Sequence, residues 1–213
     1  AYLFAGPRGT GKTSAARILA KMVNCIESGK GLGEPCDKCQ NCAAITRGNW
    51  PDLIEIDAAS NRGIDDVRAL RETVALAPIQ CKVKVYLIDE VHMLTAEALF
   101  ALLKTLEEPP DKVVFVLATT EPEKVPATVV SRCIRVNFGR ATLAEMKRSL
   151  TKVVEAEKLT VDEKGLVRLA VAAEGSFRDA QKMLEQLVMG RQKEKITLEQ
   201  VEAEVGMGKG GSG

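Results

Sequence analysis

Several features are scarce in this sequence of 213 residues, and each scarcity narrows the class of protein. Only one histidine and one tryptophan occur, and aromatic residues make up 4% of the chain. The 30 basic residues nearly balance the 29 acidic ones, so the net charge of +1 gives no overall attraction to nucleic acid or membranes. No apolar run is long enough to span a membrane, and no basic-then-apolar leader precedes the first predicted strand. We therefore expect a cytoplasmic protein without a membrane partner.

A glycine-rich turn near the N terminus carries the strongest chemical signal. Gly6 and Gly11 are separated by four residues and followed by Lys12 and Thr13, which fits a phosphate-binding loop between a strand and a helix. Glycines let consecutive N–H groups point at phosphate oxygens, and the helix dipole favours anions there. Lys12 would contact the β- and γ-phosphates, and Thr13 would bind Mg²⁺. The alternative is a strand-to-helix turn without a ligand. The predicted nucleotide-binding residues here are Gly6, Pro7, Arg8, Gly9, Thr10, Gly11, Lys12, Thr13 and Ser14.

Four cysteines follow the first predicted helix, within a turn-rich insertion of about residues 24–50. Their spacing is C-x10-C-x2-C-x2-C, and they are Cys25, Cys36, Cys39 and Cys42. Four thiolates suit tetrahedral Zn²⁺, whose bonds would supply the folding free energy that a short polar segment lacks. Disulfides are disfavoured in a reducing cytosol, and a redox C-x-x-C motif usually has only two cysteines. We expect a structural zinc site without catalysis.

A second chemical landmark is the apolar run 84–88, typical of a central parallel strand, which ends in Asp89 and Glu90. Asp89 is suited to hold Mg²⁺ through water, and Glu90 to orient and polarise the water that attacks a γ-phosphate. The alternative is a pair of solvated carboxylates at a strand end. His92 has no second histidine or nearby cysteine, so we expect a structural role for it.

Two further segments offer polar side chains at the same end of the predicted sheet. The buried strand 113–118 ends in Thr119 and Thr120, and either hydroxyl could sense a γ-phosphate or the attacking water. Each could equally cap the following turn. Arg132 follows a proline-containing loop and has no evident phosphate in its own subunit. From the rim of the sheet it could reach the nucleotide of a neighbouring subunit.

From Gly139 onward, helical periodicity replaces the strand pattern. We predict a core of residues 1–138, a helical domain of residues 139–205 and a flexible tail or engineered scar at 206–213. The predicted helices cover 142–158, 162–173, 176–189 and 198–205. Arg178 falls in the first turn of the third helix, after Ser176 as N-cap, where a cation opposes the helix dipole. This position favours a nearby anion, or else an exposed arginine paired with Asp179 or Glu174.

In this order the motifs resemble those of the AAA+ ATPases. The four-cysteine insertion after the first helix is similar, more narrowly, to that of the gamma/tau (DnaX) family of bacterial DNA polymerase III clamp loaders. The resemblance covers about residues 1–205. It rests on the segments GPRGTGKTSAARILAK, C-x10-CDKCQNC, VYLIDEVHML, LLKTLEEPP, FVLATTEPEKVPATVVSRC and GSFRDA.

The resemblance implies an α/β fold of the P-loop NTPase (AAA+) type, with a parallel sheet flanked by helices, a zinc-binding insertion and an all-helical lid domain. It implies an ATPase of the DNA polymerase III holoenzyme that loads a sliding clamp onto primer–template DNA during replication. The implied cofactors are ATP/ADP, Mg²⁺ and structural Zn²⁺, and the implied partners are other clamp-loader subunits and the clamp. In the family, the positions of Lys12, Asp89 and Glu90 are catalytic. Thr119 or Thr120 matches sensor 1, Arg132 matches the trans-acting arginine finger, and Arg178 matches sensor 2.

Two parts of the family pattern have no counterpart here: the adenine-contacting segment before the first strand, and the third domain that holds the loader together. We therefore expect a largely monomeric chain with weak ATPase activity of its own. DNA contact through Arg62 or Thr128 is a further expectation, although Arg62, Arg68 and Arg71 would equally form a solvated basic face.

Two other functions compete with the ATPase motor. A nucleotide-binding scaffold with little hydrolysis has no need for Glu90 beside Asp89. A zinc-ribbon nucleic-acid module would need basic and aromatic residues around the cysteines, and the insertion has few of them.

Overall fold

The computed structural model describes residues 1–27, 33–80, 82–189 and 195–208. The chain divides into two compact units. The first comprises residues 1–6 and 12–138, and the second comprises residues 7–11 together with the chain after Phe138. Of the predicted tail, residues 209–213 lie outside the described residues, whereas 206–208 belong to the last helix.

A parallel five-stranded sheet forms the centre of the first unit, with strand order β2-β3-β4-β1-β5. The strands are β1 (Tyr2–Ala5), β2 (Leu53–Asp57), β3 (Lys84–Asp89), β4 (Val113–Thr119) and β5 (Ile134–Asn137). In the register, Leu3 pairs with Leu117, and Leu87 pairs with Val116. Because all strands run in the same direction, the residues that follow β1, β3 and β4 meet at one edge of the sheet.

Helices cover both faces of this sheet, which explains why β3 and β4 are continuous apolar runs. On one face, Tyr86 and Ile88 pack with helices α3 and α4, and on the other, Val85 and Leu87 pack with α1 and residues of α2. The helices of the first unit are α1 (Lys12–Asn24), α2 (Gln40–Thr46), α3 (Ile64–Val74), α4 (Ala96–Glu107) and α5 (Ala127–Val130). Short 3₁₀ turns cover Val91–Met93 and Pro122–Lys124. The predicted parallel sheet flanked by helices is confirmed.

Helix α2 was not predicted, because its sequence lies in a segment dominated by turn-forming residues. It begins after Cys39, whose Sγ accepts a hydrogen bond from the backbone N–H of Cys42. Its apolar face buries Ile45 completely against Ala16 and Ala20 of α1. Packing and the cysteine cluster, rather than helix propensity, therefore explain this helix.

The second unit has its own apolar core, formed by helices α6 (Leu143–Ala156), α7 (Glu163–Ala172), α8 (Phe177–Val188) and α9 (Leu198–Gly208). Thr142 and Glu145 form a capping box at the start of α6, and Ser176 caps α8 by accepting the N–H of Asp179. Both features anchor helix starts that the sequence had predicted. In the described part of the chain, no helix has the length and apolar character that crossing a membrane requires.

Candidate active site and cysteine cluster

The loop between β1 and α1 is shaped by glycines that no other residue could replace without rearrangement. A Cβ at Gly6 would lie 2.1 Å from the carbonyl oxygen of Phe138. Gly9 has φ +76°, and a Cβ there would lie 2.1 Å from Ser176 Oγ, within the second unit. The backbone therefore curls tightly, as a phosphate-binding loop requires.

The polar side chains of this loop are held by its own carbonyl groups. The Thr10 hydroxyl donates to the carbonyl oxygen of Pro7 at 2.8 Å, and Lys12 Nζ donates to that of Gly6 at 2.8 Å. Lys12 is buried, and this desolvation lowers its pKa, while the nearby Glu90 and Asp89 carboxylates act in the opposite direction. The predicted binding residues Arg8 and Ser14 are exposed.

The two predicted magnesium ligands lie together. Thr13 Oγ1 donates to Asp89 Oδ2 at 3.0 Å, although the residues are 76 positions apart in the sequence. Asp89 Oδ1 accepts the backbone N–H of Glu90 at 2.9 Å. A hydroxyl and a carboxylate are the oxygen ligands that Mg²⁺ prefers. The residues present therefore fit this ion.

Glu90 lies directly beyond β3, with its backbone in the left-handed region at φ +49°. Such a conformation is strained for a residue with a side chain and is often found at functional sites. Glu90 Oε2 accepts hydrogen bonds from the backbone N–H of Thr120 at 3.1 Å and from its hydroxyl at 2.9 Å. The carboxylate is thus anchored to the end of β4.

The two neighbouring threonines have different partners, which sequence alone could not distinguish. Thr120 contacts Glu90, whereas the fully buried Thr119 hydroxyl lies 2.9 Å from Nδ1 of His92. Thr119 Oγ1 also accepts the backbone N–H of Glu121 at 3.1 Å. Both hydroxyls therefore belong to one network with the carboxylate of Glu90.

His92 was predicted to be structural, because it has no histidine or cysteine partner in the sequence. In the structure its side chain is buried between two carboxylates, with Nδ1 3.4 Å from Glu90 Oε2 and Nε2 3.3 Å from Glu121 Oε1. The Lys124 ammonium, and secondarily His92, lower the pKa of Glu121 below its ordinary value. The only sequence signal for a place of His92 near the candidate site was its position two residues after Glu90.

The two remaining predicted site residues, both arginines, lie in different units. Arg132 forms an ion pair with Glu107, and its Nη1 donates to the carbonyl oxygen of Thr128 at 2.6 Å. Arg178 is the second residue of α8, and among the described residues it forms no ion pair with Asp179 or Glu174. One residue earlier, the N–H of Phe177 donates to the carbonyl oxygen of Gly9 at 2.9 Å, within the same unit.

The two expected DNA contacts, Arg62 and Thr128, are exposed side chains of the first unit, as are Arg68 and Arg71 of the basic face. Arg62 donates to the carbonyl oxygen of Ala59, and Arg68 pairs with Asp65 one turn away on α3. These local partners are what a solvated basic face would have.

The four cysteines converge on one point, with all Sγ atoms within 4.8 Å of one another. Backbone N–H groups of Cys39 and Cys42 donate to Cys36 Sγ and Cys39 Sγ at 3.2 and 3.5 Å. Hydrogen bonding from the Cys36 backbone lowers the pKa of Cys25 to about 6, whereas burial raises that of Cys42 to about 12. Tetrahedral Zn–S bonds of about 2.3 Å place sulfurs slightly under 4 Å apart. The cluster is therefore compatible with one zinc ion.

A parallel sheet whose first strand leads into this glycine loop, with an acidic pair at the end of β3, defines the class of P-loop nucleotide-binding proteins. The chain belongs to the family described as "DNA polymerase III, delta subunit", whose model matches residues 1–142. Residues 145–191 match "DNA polymerase III clamp loader subunit, ATPase lid domain".

Relatives of known name agree with this family. The chain is 53% identical over 188 residues to DNA polymerase III subunit tau of Bacillus subtilis, covering 88% of this chain and 33% of the relative. It is 48% identical over 188 residues to DNA polymerase III subunit tau of Escherichia coli, covering 88% of this chain and 29% of the relative. The predicted similarity to the gamma/tau family is confirmed. The chain spans about a third of the length of these relatives.

Solved structures show the same fold at low sequence identity. The RuvB Holliday junction branch migration motor of Thermotoga maritima has a TM-score of 0.68 and 17% identity, covering 97% of this chain and 61% of that one. A DNA polymerase III gamma subunit-related protein of Thermotoga maritima has a TM-score of 0.54 and 21% identity, and the match covers 95% of this chain and 64% of that one. The predicted AAA+ fold is thereby confirmed.

Proposed function

We propose that this chain is the ATP-hydrolysing part of a bacterial clamp-loader subunit, which uses ATP binding and hydrolysis to load a sliding clamp onto primed DNA. The single observation that carries the proposal is the Thr13–Asp89 contact at 3.0 Å with the Glu90 carboxylate on the next residue. A phosphate loop, a metal-binding pair and a candidate base then occupy one site. The names of the relatives support the role in DNA replication.

In this proposal, the loop from Gly6 to Ser14 holds the triphosphate, and Lys12 neutralises the β- and γ-phosphates. Thr13 and Asp89 would hold Mg²⁺, which supplies charge stabilisation when it is bound. Glu90 orients and polarises the attacking water, and Thr120 reports on the γ-phosphate by its hydrogen bonds to Glu90.

Two arginines would connect the nucleotide to other parts of the assembly. Arg132 would act in trans on the nucleotide of a neighbouring subunit, and its side chain is 31% exposed, so it is accessible to a partner. Arg178 would sense the nucleotide from the lid. The γ-phosphate would be contacted by the core, the lid and the neighbouring subunit. Its departure after hydrolysis would remove these shared contacts and loosen the assembly. The other loader subunits, the clamp and primer–template DNA are the proposed partners.

We further propose that the cysteine cluster binds structural zinc through Cys25, Cys36, Cys39 and Cys42. Four thiolates would fill all four positions of a tetrahedral site, which leaves no open coordination position for substrate, and three of these side chains are buried. Zinc would hold the start of α2 near the end of α1. Its role would be to stabilise this insertion, without participation in ATP hydrolysis.

The test compares variants in the complete protein assembled with its loader partners. Glu90→Gln keeps the shape of the side chain and should retain ATP binding while lowering turnover by about 100-fold or more. Lys12→Ala should weaken ATP binding itself. Glu123→Gln, which changes an exposed carboxylate of the adjacent turn, is the matched control and should behave like wild type. Equal, slow turnover in wild type and Glu90→Gln would contradict the motor and support the nucleotide-binding scaffold.

A further inference from the structure

The only histidine of the sequence, His92, lies beside the candidate catalytic residue Glu90, although the proposed chemistry does not use it. The His92 side chain is 5% exposed, and each ring nitrogen has a polar neighbour. Nδ1 lies 2.9 Å from Thr119 Oγ1, and Nε2 lies 3.3 Å from Glu121 Oε1. A ring contacted at both nitrogens has a fixed orientation.

These contacts join the ends of two strands. His92 belongs to the 3₁₀ turn after β3, whereas Thr119 and Glu121 lie at and beyond the end of β4. Between them, Thr120 donates two hydrogen bonds to Glu90 Oε2. The turn that carries the anchor of Glu90 is therefore itself held by the imidazole.

The imidazole also separates two carboxylates. Glu90 Oε2 and Glu121 Oε1 lie on opposite nitrogens, at 3.4 and 3.3 Å, and the Lys124 ammonium pairs with the far oxygen of Glu121. Without the ring, two like charges would face a common space, and the strained left-handed backbone of Glu90 would lose a neighbour that limits its movement. The ring therefore restricts where the Glu90 carboxylate can be.

We propose that His92 is a positioning residue for Glu90, which fixes the carboxylate and its Thr120 anchor in the geometry required for water activation. This inference rests on the proposed ATPase function. It does not depend on the charge of the imidazole, because a neutral ring with its proton on Nε2 donates to Glu121 and accepts from the Thr119 hydroxyl at Nδ1. A reacting group misplaced by about 1 Å can lose about 100-fold in rate.

A purely structural histidine would produce a different result. Removal of a space-filling side chain lowers the stability of the fold, and it impairs nucleotide binding and turnover together. Removal of a positioning residue lowers kcat while the nucleotide affinity stays constant, because the contacts described for the ring are with Glu90, Thr119 and Glu121, at the ends of β3 and β4. The ratio of these two effects separates the alternatives.

The experiment measures kcat, KM and ATP affinity for His92→Ala and His92→Asn in the complete protein assembled with its partners. We expect His92→Ala to lower kcat by about 10- to 100-fold with ATP affinity within about twofold of wild type. His92→Asn should recover part of kcat, because its amide can contact Thr119. Lys124→Ala is the matched control, since it removes the other partner of Glu121 and should leave kcat unchanged.

A double variant tests whether His92 acts through Glu90. If it does, His92→Ala should reduce turnover much less in a Glu90→Gln background than in wild type. Wild-type kcat in both His92 variants, or fully additive losses, would overturn the inference. If His92→Ala does not fold, Thr119→Val removes the hydroxyl that contacts the ring and should lower kcat at constant ATP affinity, while wild-type kcat in that variant would overturn the inference.

Failure of the inference and failure of the proposed function are distinguishable. If Glu90→Gln abolishes turnover while the His92 variants retain it, only the positioning role is wrong. If the assembled wild-type protein does not hydrolyse ATP, or if Glu90→Gln changes nothing, the proposed function is wrong and the role of His92 with it.

Discussion

Removal of a single cysteine provides a quantitative test of the zinc proposal. Cys42 is fully buried, and its Sγ lies within 4.8 Å of the other three. Cys42→Ala deletes one proposed ligand while it adds no polar group. We expect the insertion to lose its metal and helix α2 to detach from α1, because so short a helix is unstable without its contacts.

The size of the effect follows from what α2 buries. Ile45 is fully buried against α1, and burial of one such side chain contributes about 1.5–3 kcal/mol. Zinc binding to small folded peptides contributes about 10–16 kcal/mol. The sheet can stay folded when the insertion opens, so only a part of this binding free energy contributes to the free energy of global unfolding. We expect a loss of about 2–3 kcal/mol, which lowers Tm by roughly 4–12 °C in a chain of this size.

Thermal unfolding with metal analysis is the assay, and a chelator added to wild type should reproduce the shift. Trp50, the only tryptophan, is buried beside α2, so its fluorescence should move to longer wavelength when the insertion opens. Cys133→Ala is the matched control, because Cys133 lies outside the cluster. Equal Tm values for the two variants, with no zinc in the purified wild-type protein, would refute the reasoning.

Two other predictions concern the rim of the sheet and the start of the lid. Arg132→Ala should lower ATP turnover of the assembled complex by about 1,000-fold without weakening ATP binding to the isolated chain, and Glu107→Gln should cause a smaller loss in the same direction by releasing the guanidinium. If the isolated chain hydrolysed ATP as fast as the assembled complex, Arg132 would not be acting in trans. Hydrogen bonds from Thr142 lower the pKa of Glu145 below its ordinary 4.5, so this contribution to stability is fully present above pH 4.5 and is lost as the pH falls through the lowered value. Glu145→Gln should remove that part of the acid dependence, as urea unfolding at several pH values would show, and an unchanged dependence would contradict the assignment.

Local sequence patterns predicted most of the secondary structure. The glycine loop, the apolar runs of β3 and β4 and the helix starts at Thr142 and Ser176 agree with the structure. These features depend on residues within one turn or one strand of each other. The resemblance to clamp-loader ATPases rested on several such motifs in a fixed order, and the family comparison agrees with it.

Helix α2 and the sheet order could not be predicted in the same way. The helix is stabilised by thiol contacts and by burial of Ile45, and both depend on elements distant along the chain. The order β2-β3-β4-β1-β5 depends on which strands pair, and apolar runs in every strand are compatible with many pairings.

The sequence by itself determined the residue types of the site: the loop that suits phosphate, the acidic pair and four cysteines at metal-binding spacing. Only the tertiary structure decided which side chains meet. Thr120 rather than Thr119 contacts Glu90, across 30 positions, and His92 contacts Thr119 across 27. The reason is physical: parallel strands bring chain segments that are far apart in sequence to one edge of the sheet, and the identity of neighbours there depends on register and backbone direction.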